Sequence, residues 1–469
     1  MAVKPTTLDA YQLIHDGVLC LGRAEQVGIR VDVQYCEQKK EFLTKKIERS
    51  ERLLKETEFM RDWRRKYGAS FNMHSNQQLE DILYNVMGLK AAKETTSGAG
   101  STDEDTLGQL GIPELDSLIQ VRKLKKIRDT YIDAFLREQV NGILHPFFNL
   151  HTTKTYRSSS NSPNFQNIPK RDKEAMKICR RALKPRPGNQ LLEVDFSGLE
   201  VSIAACYHKD KTMMKYLTSD HSDMHSDLAE QLFIIPDFDK VKYPEHKHLR
   251  NASKNGFIFP QFYGDYYGNN AVSLAVQWAK LGQGAWGPGQ GVAMPGGLTI
   301  GDHFLSKGIR HFDQFVQHVK AIEEDFWGKR FWEYQKWKER WLAQYQKAGY
   351  FDLKTGFRCT GVMRKNEVIN YAVQGAAFHC LLWSFIQVDR IITERKMQSR
   401  LIGQIHDALI VDVVPEELDE LGFIIRKVTC VDLAKHWKWI IVPLDVEADI
   451  CEVDAPWSEK HGHKLPEVV

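Results

Sequence analysis

The sequence predicts an α+β fold in which helices dominate and a few short strands carry the chemistry, and three observations point there. Long stretches such as 36–66 place apolar residues at steps of three and four between charged ones, as helices do. Two separate segments, 191–196 and 400–414, are short apolar runs of the kind that form buried strands. The 469 residues, 42% hydrophobic and 27% charged, suffice for two or three packed subdomains and exclude a disordered or fibrous chain.

Charge and cysteine usage narrow the class. Lys and Arg number 64 against 61 Asp and Glu, so the formal charge is only +3 and any nucleic-acid footprint must be local. The eight cysteines are scattered without a CxxC pair, which argues against a structural zinc site or a disulfide framework and for a reducing compartment. No secretory pattern opens the chain, and no stretch approaches the ~18 apolar residues of a membrane helix.

Taken in order, residues 36–66 predict one long exposed helix with dense Lys and Arg, and 114–138 a second basic helix. Between them, FNMHSNQQ and TTSGAGSTDED carry helix-cap signals. LLEVDFSGLEVSIAAC then predicts a strand over 191–196 running into a helix. His221 and His225 stand one turn apart, but the glutamate of an HExxH zinc site is missing. In RNASKNGFIFPQFYG, Arg250 and Lys254 share a helical face that could grip a triphosphate, and the aromatic residues that follow could stack on a base. The Gly-rich passage 282–301 lacks the GK[ST] ending of a phosphate loop and reads as a flexible insertion. Trp327, Phe331, Tyr334, Trp337, Trp341 and Tyr345 recur at steps of three and four, which predicts a helix burying its ring face rather than a base-stacking platform. Finally, RLIGQIHDALIVDVV predicts two strands meeting at His406 and Asp407.

Asp195 and Asp407 both sit in apolar strand settings, a costly place for a carboxylate without a cation or a hydrogen bond. Two such groups could share a pair of divalent ions about 4 Å apart for an in-line phosphoryl transfer. Each signal alone is weak, because Asp is common at turns and an RxxxK pair is usually a surface pair.

Together and in this order, the segments resemble the polymerase domain of family A DNA polymerases. EQVGIRVD at 25–32 is similar to its opening, FNMHSNQQL and SGAGSTDEDTL to its thumb, and TYRSSSNSPNFQNIP at 155–169 to the stretch along the primer-template minor groove. DFSGLE at 195–200 resembles motif A, RNASKNGFIFPQFYG motif B and QIHDALIV motif C, while SDMH, NYAVQG and WSEKH fall in the family's order. The resemblance implies a right hand: a palm-associated segment at 1–35, a helical thumb at 36–135, an antiparallel palm at 136–209 and 376–469, and helical fingers at 210–375.

It also implies roles. Asp195 and Asp407 would hold two Mg²⁺ ions, for which Mn²⁺ may substitute, with the Phe196 carbonyl as a further ligand. Glu200 would exclude a ribose hydroxyl. His225, Arg250 and Lys254 would bind the triphosphate, with Lys254 also the acid that protonates pyrophosphate, and Tyr263 would close over the templating position. Arg157, Asn164, Gln166, Asn167, Asn370, Gln374 and His406 would touch the minor groove of the nascent pair, testing geometry and not sequence. Primer-template DNA and dNTPs are the implied partners, with a separate exonuclease or replisome proteins beside them and no membrane. The compartment is expected to be intracellular and reducing: bacterial cytoplasm, a phage-infected cell included, or an organelle matrix. This chain is not expected to proofread by itself.

Several positions depart from the family pattern. Motif B carries one extra residue, so counting four on from Lys254 selects Ile258, and counting four back from Tyr263 selects Phe259. Phe259 is taken as the sugar-stacking residue, which implies discrimination against dideoxynucleotides; Pro260 predicts a bulge or kink that absorbs the insertion. Ala408 stands where motif C usually has glutamate, Asn366 where an arginine precedes NYAVQG, with Arg364 or Lys365 as substitutes, and Ser202 where relatives often carry arginine. Two alternatives remain open: a single-subunit RNA polymerase, which should lack Glu200, and a non-catalytic DNA-binding subunit, which has no use for a metal pair.

Overall fold

The computed structural model describes residues 5–91, 95, 98–108, 110–170, 172–219, 222–282 and 286–468. Its centre is a five-stranded sheet, antiparallel throughout, in the order His461–His463, Val446–Ile450, Gln190–Phe196, Ala408–Val413, Arg400–Ile405. Both expected strand segments are therefore neighbours in space although about 200 residues separate them in sequence. Every residue of Ala408–Val413 is buried, which is why that strand reads as an apolar run, interrupted by Asp412, rather than an alternation.

Helices cover the sheet. Thr6 and Asp9 form a reciprocal cap that starts the helix Thr7–Val27. That helix lies along the long helix Lys365–Glu394, where the Cys20 thiol donates to the Phe385 carbonyl and Arg23 pairs with Asp389. One large apolar core joins the sheet to these helices and to the helical region 199–348. A second, smaller core of Leu54, Met60, Trp63, Leu79, Leu83 and Leu118 holds the 54–119 region together.

Some expectations are corrected. The helix expected over 36–66 is two helices, Val33–Lys55 and Glu58–Tyr67. Thr57 separates them, its hydroxyl donating to the Leu54 carbonyl at 2.8 Å and accepting from the Met60 N–H. Ser75 does cap the helix Asn76–Glu80, whereas part of TTSGAGSTDED lies outside the described residues, as does His221. From Trp286 on, the Gly-rich passage packs rather than dangles: the Val292, Ile300 and Gly301 N–H groups donate to the carbonyls of Ala279, Val292 and Gln290, and Trp286 packs on Phe304 and Phe315. All six stripe aromatics turn inward, Phe331, Tyr334 and Trp337 fully, although Phe331 leaves helical geometry and the helix proper is Trp332–Ala348. No helix among the described residues is long and apolar enough to cross a membrane.

Candidate active site

Backbone pairing brings the two aspartates together. Ala408 lies directly opposite Asp195, and the Phe196 N–H donates to the Asp407 carbonyl at 3.2 Å. His406 and Asp407 form the two-residue connection between their strands, with His406 exposed and left-handed at φ 54. After Asp195 the chain turns through Gly198, also left-handed at φ 62, into the helix Leu199–His208, which a side chain at 198 would resist. The turn sets Glu200 beside the strand end.

Glu200, Phe259, Tyr263, Asn370, Gln374 and Asp407 line one cavity of about 180 Å³. The Tyr263 hydroxyl donates to Glu200 Oε2, and Arg157 Nη1 stands 3.4 Å from Oε1. Burial and the Glu200 charge push the Tyr263 phenol well up. Asn370 donates to the Tyr263 carbonyl at 3.2 Å, and Asn366, in the usual arginine position, donates to the Gly264 carbonyl at 3.2 Å. Of the suggested substitutes, Arg364 pairs with Glu367 and Lys365 borders an adjoining cavity. Gly375 is needed for close approach: a Cβ there would stand 2.5 Å from the Thr155 carbonyl oxygen, so the helix carrying Asn370 and Gln374 lies against the segment carrying Arg157.

One wide turn interrupts the helix that carries Lys254. Between the helices Pro244–Ser253 and Phe259–Phe262, the segment Lys254–Ile258 bonds five residues back, the Phe259 N–H donating to the Lys254 carbonyl. The turn seals Ile258 in the core and leaves Phe259 facing the cavity. Pro260 costs little because it falls in the first turn of the resumed helix.

His225, Arg250 and Lys254 do not line that cavity; they gather behind Phe259. Lys254 Nζ lies 5.3 Å from the Phe259 ring centre, and the His225 ring stands edge-on to it at 5.9 Å. Burial, then the Arg250 and Lys254 charges, push His225 down to about 4, so the imidazole is neutral at pH 7. Arg250 Nε donates to Asp223 at 2.7 Å and Lys240 also bonds Asp223. Burial raises that carboxyl, but these bonds win and hold it well below the usual range. Asp223 was missed by sequence reasoning; its only local signal is that it caps the helix Met224–Phe233.

Of the expected minor-groove residues, Asn370 and Gln374 line the smaller cavity, three others a second hollow, and Arg157 and Asn164 neither. Gln166, Asn167 and His406 line a larger cleft of about 800 Å³ together with Arg122, Lys123 and Lys126 of the second basic helical region. Asn164 caps the short turn that follows it, accepting from the Asn167 N–H at 3.2 Å, and Gln166 donates to Ser158 at 2.7 Å. Phe165 anchors the turn by stacking on Trp457.

The sequence model of "DNA polymerase family A" matches residues 37–285 and 301–456. The chain belongs to DNA polymerase family A. The unmatched gap, 286–300, is most of the packed Gly-rich passage. "DNA polymerase I" of Chloroflexus aurantiacus (strain ATCC 29366 / DSM 635 / J-10-fl) is 26% identical over 98% of this chain and 44% of its own length. "DNA polymerase I, thermostable" of Thermus thermophilus is 26% identical over 92% of this chain and 46% of its own. The chain thus spans less than half the length of these curated relatives. The solved "POL domain of Pol1 from M. smegmatis complex with DNA primer-template and dNTP" shares the fold, with a TM-score of 0.71 at 23% identity, covering 95% of this chain and 70% of that one.

The family A site has the character of a cation site. Asp407 Oδ1 is sealed from solvent without a hydrogen-bond partner, and burial with the Glu200 and Asp195 charges pushes the carboxyl up to about 7 although Arg157 opposes it. A cation there would satisfy the orphan oxygen. Among the described residues no group of three or more His, Cys, Asp or Glu side chains is close enough to hold a metal. Two aspartates and a backbone carbonyl would leave positions for substrate oxygens and water.

Proposed function

We propose that this chain extends a DNA primer on a DNA template, adding deoxynucleotides and releasing pyrophosphate. The observation that carries this is the register that sets Asp195 beside Asp407, which lines a cavity together with Glu200, Phe259 and Tyr263. Two Mg²⁺ ions held by Asp195, Asp407 and the Phe196 carbonyl, or Mn²⁺ in their place, would activate the primer hydroxyl and stabilise the leaving pyrophosphate.

The chain's own groups do the rest. Arg250 and Lys254 supply the charge that grips the triphosphate, the neutral His225 donates a hydrogen bond, and Lys254 hands a proton to pyrophosphate. Phe259 stacks on the sugar and Glu200 fills the space a 2′-hydroxyl needs. Arg157 and Tyr263 keep Glu200 in place. The Asn164–Asn167 turn, Asn370, Gln374 and His406 test the shape of the nascent pair. Basic residues of the 36–135 thumb hold the duplex by its phosphates, so binding weakens steeply with salt.

Extension of a labelled primer with Mg²⁺ and dNTPs, lost in Asp407→Ala while DNA binding persists, is the expected result. Extension by NTPs as readily as dNTPs would favour an RNA polymerase; DNA binding without extension would favour a non-catalytic subunit.

A further inference from the structure

Lys170 lies outside every role assigned above. Its Nζ donates to Asp195 Oδ2 at 2.8 Å and stands 3.7 Å from Glu193 Oε1. Strand residues two apart share a face, so Glu193 and Asp195 present their carboxylates to the same side of the sheet. Glu193 resembles a third metal ligand by position alone. It is 5% exposed, and its Oε2 already accepts from Arg180 at 3.0 Å, Trp457 Nε1 at 3.0 Å and Lys460 at 2.7 Å, so that oxygen is committed and Oε1 is left for Lys170.

Lys170 is different, because half its side chain is exposed and it borders the larger cleft. A flexible four-carbon stem lets its ammonium move between partners. Across the sheet Ala408 brings no charge to Asp195 and Glu447, on the other side, a negative one, so among the described residues the ammonium of Lys170 is the ion-pair partner of that aspartate. We infer that Lys170 is a built-in competitor for the cation position on Asp195: it occupies the carboxylate until a divalent ion arrives and then shifts onto Glu193, which keeps it at the site.

The inference rests on Asp195 being a metal ligand, and the test separates the two ideas. Free Mn²⁺ would be followed by electron paramagnetic resonance against the full chain as wild type, Lys170→Met, Lys170→Arg and Asp195→Asn. Lys170→Met should bind Mn²⁺ about fivefold tighter, the scale of removing one partly exposed ion pair. Lys170→Arg should bind as the wild type does. Unchanged or weaker binding by Lys170→Met, with a site lost in Asp195→Asn, would overturn the competitor role alone. Wild-type binding by Asp195→Asn would overturn the metal assignment and this inference with it. Melting of each variant in EDTA confirms that it is folded.

Discussion

Asp195 and Asp407 are placed by strand hydrogen bonds, whereas Arg250 on its helix and Tyr263 just past the end of another are tied by side-chain bonds to Asp223 and Glu200. Asp407 and Tyr263 line the cavity, whereas His225 and Arg250 do not. The sheet edge is fixed before any ligand arrives, since moving either aspartate means breaking a buried ladder. The helical side is held by bonds that a triphosphate can replace one at a time. A site of this kind keeps its reacting edge rigid and lets substrate binding rearrange the other wall, the usual basis of an induced-fit closure.

That contrast can be broken or sharpened experimentally. Lys254→Ala should lower kcat for extension about 10³-fold with primer-template affinity unchanged, the loss expected of a charge aimed at the transition state. An effect confined to KM would instead make Lys254 a ground-state contact. Glu200→Ala should cut discrimination between dNTPs and NTPs about 10²-fold, measured as the ratio of kcat/KM values; an unchanged ratio would move the sugar check elsewhere.

Acid should loosen the molecule through its buried neutral histidines. Burial pushes His208 and His379 down to about 3, and burial with nearby cations pushes His225 down to about 4. Their folded pKa values lie below the unfolded one, so the unfolded chain takes up protons first as pH falls. Stability is therefore complete above about 6.5 and lost progressively toward pH 3, by about 2 kcal/mol for each of the three, about 5–6 kcal/mol together, between pH 7 and 5. Urea unfolding at both pH values tests this, and equal midpoints would contradict it. The smallest effect belongs to Asp223→Asn, which keeps a good helix cap but frees Arg250, and should tighten dNTP binding about threefold. Weaker binding would show that Asp223 positions Arg250 rather than restrains it.

Legibility in the sequence followed the same divide. The strands 191–196 and 400–414, the aromatic stripe and the Ser75 cap were readable because period and cap chemistry are local. The break at Thr57 was not, since the apolar spacing continues through it and only the cap bond reveals the turn. The unmatched passage 286–300 was visible as glycine, but the packing of Trp286 on Phe304 and Phe315 was not.

By itself the sequence determined the α+β class, the order of the family's segments and the residue types able to do phosphoryl transfer, because these depend on neighbours along the chain. The tertiary structure alone decided that Phe259 and not Ile258 faces the cavity, that Asp223 holds Arg250, and that Lys170 rests on Asp195. These outcomes turn on a wide helical turn and on ion pairs between residues about 25 apart, and neither leaves a local pattern that periodicity or spacing can report.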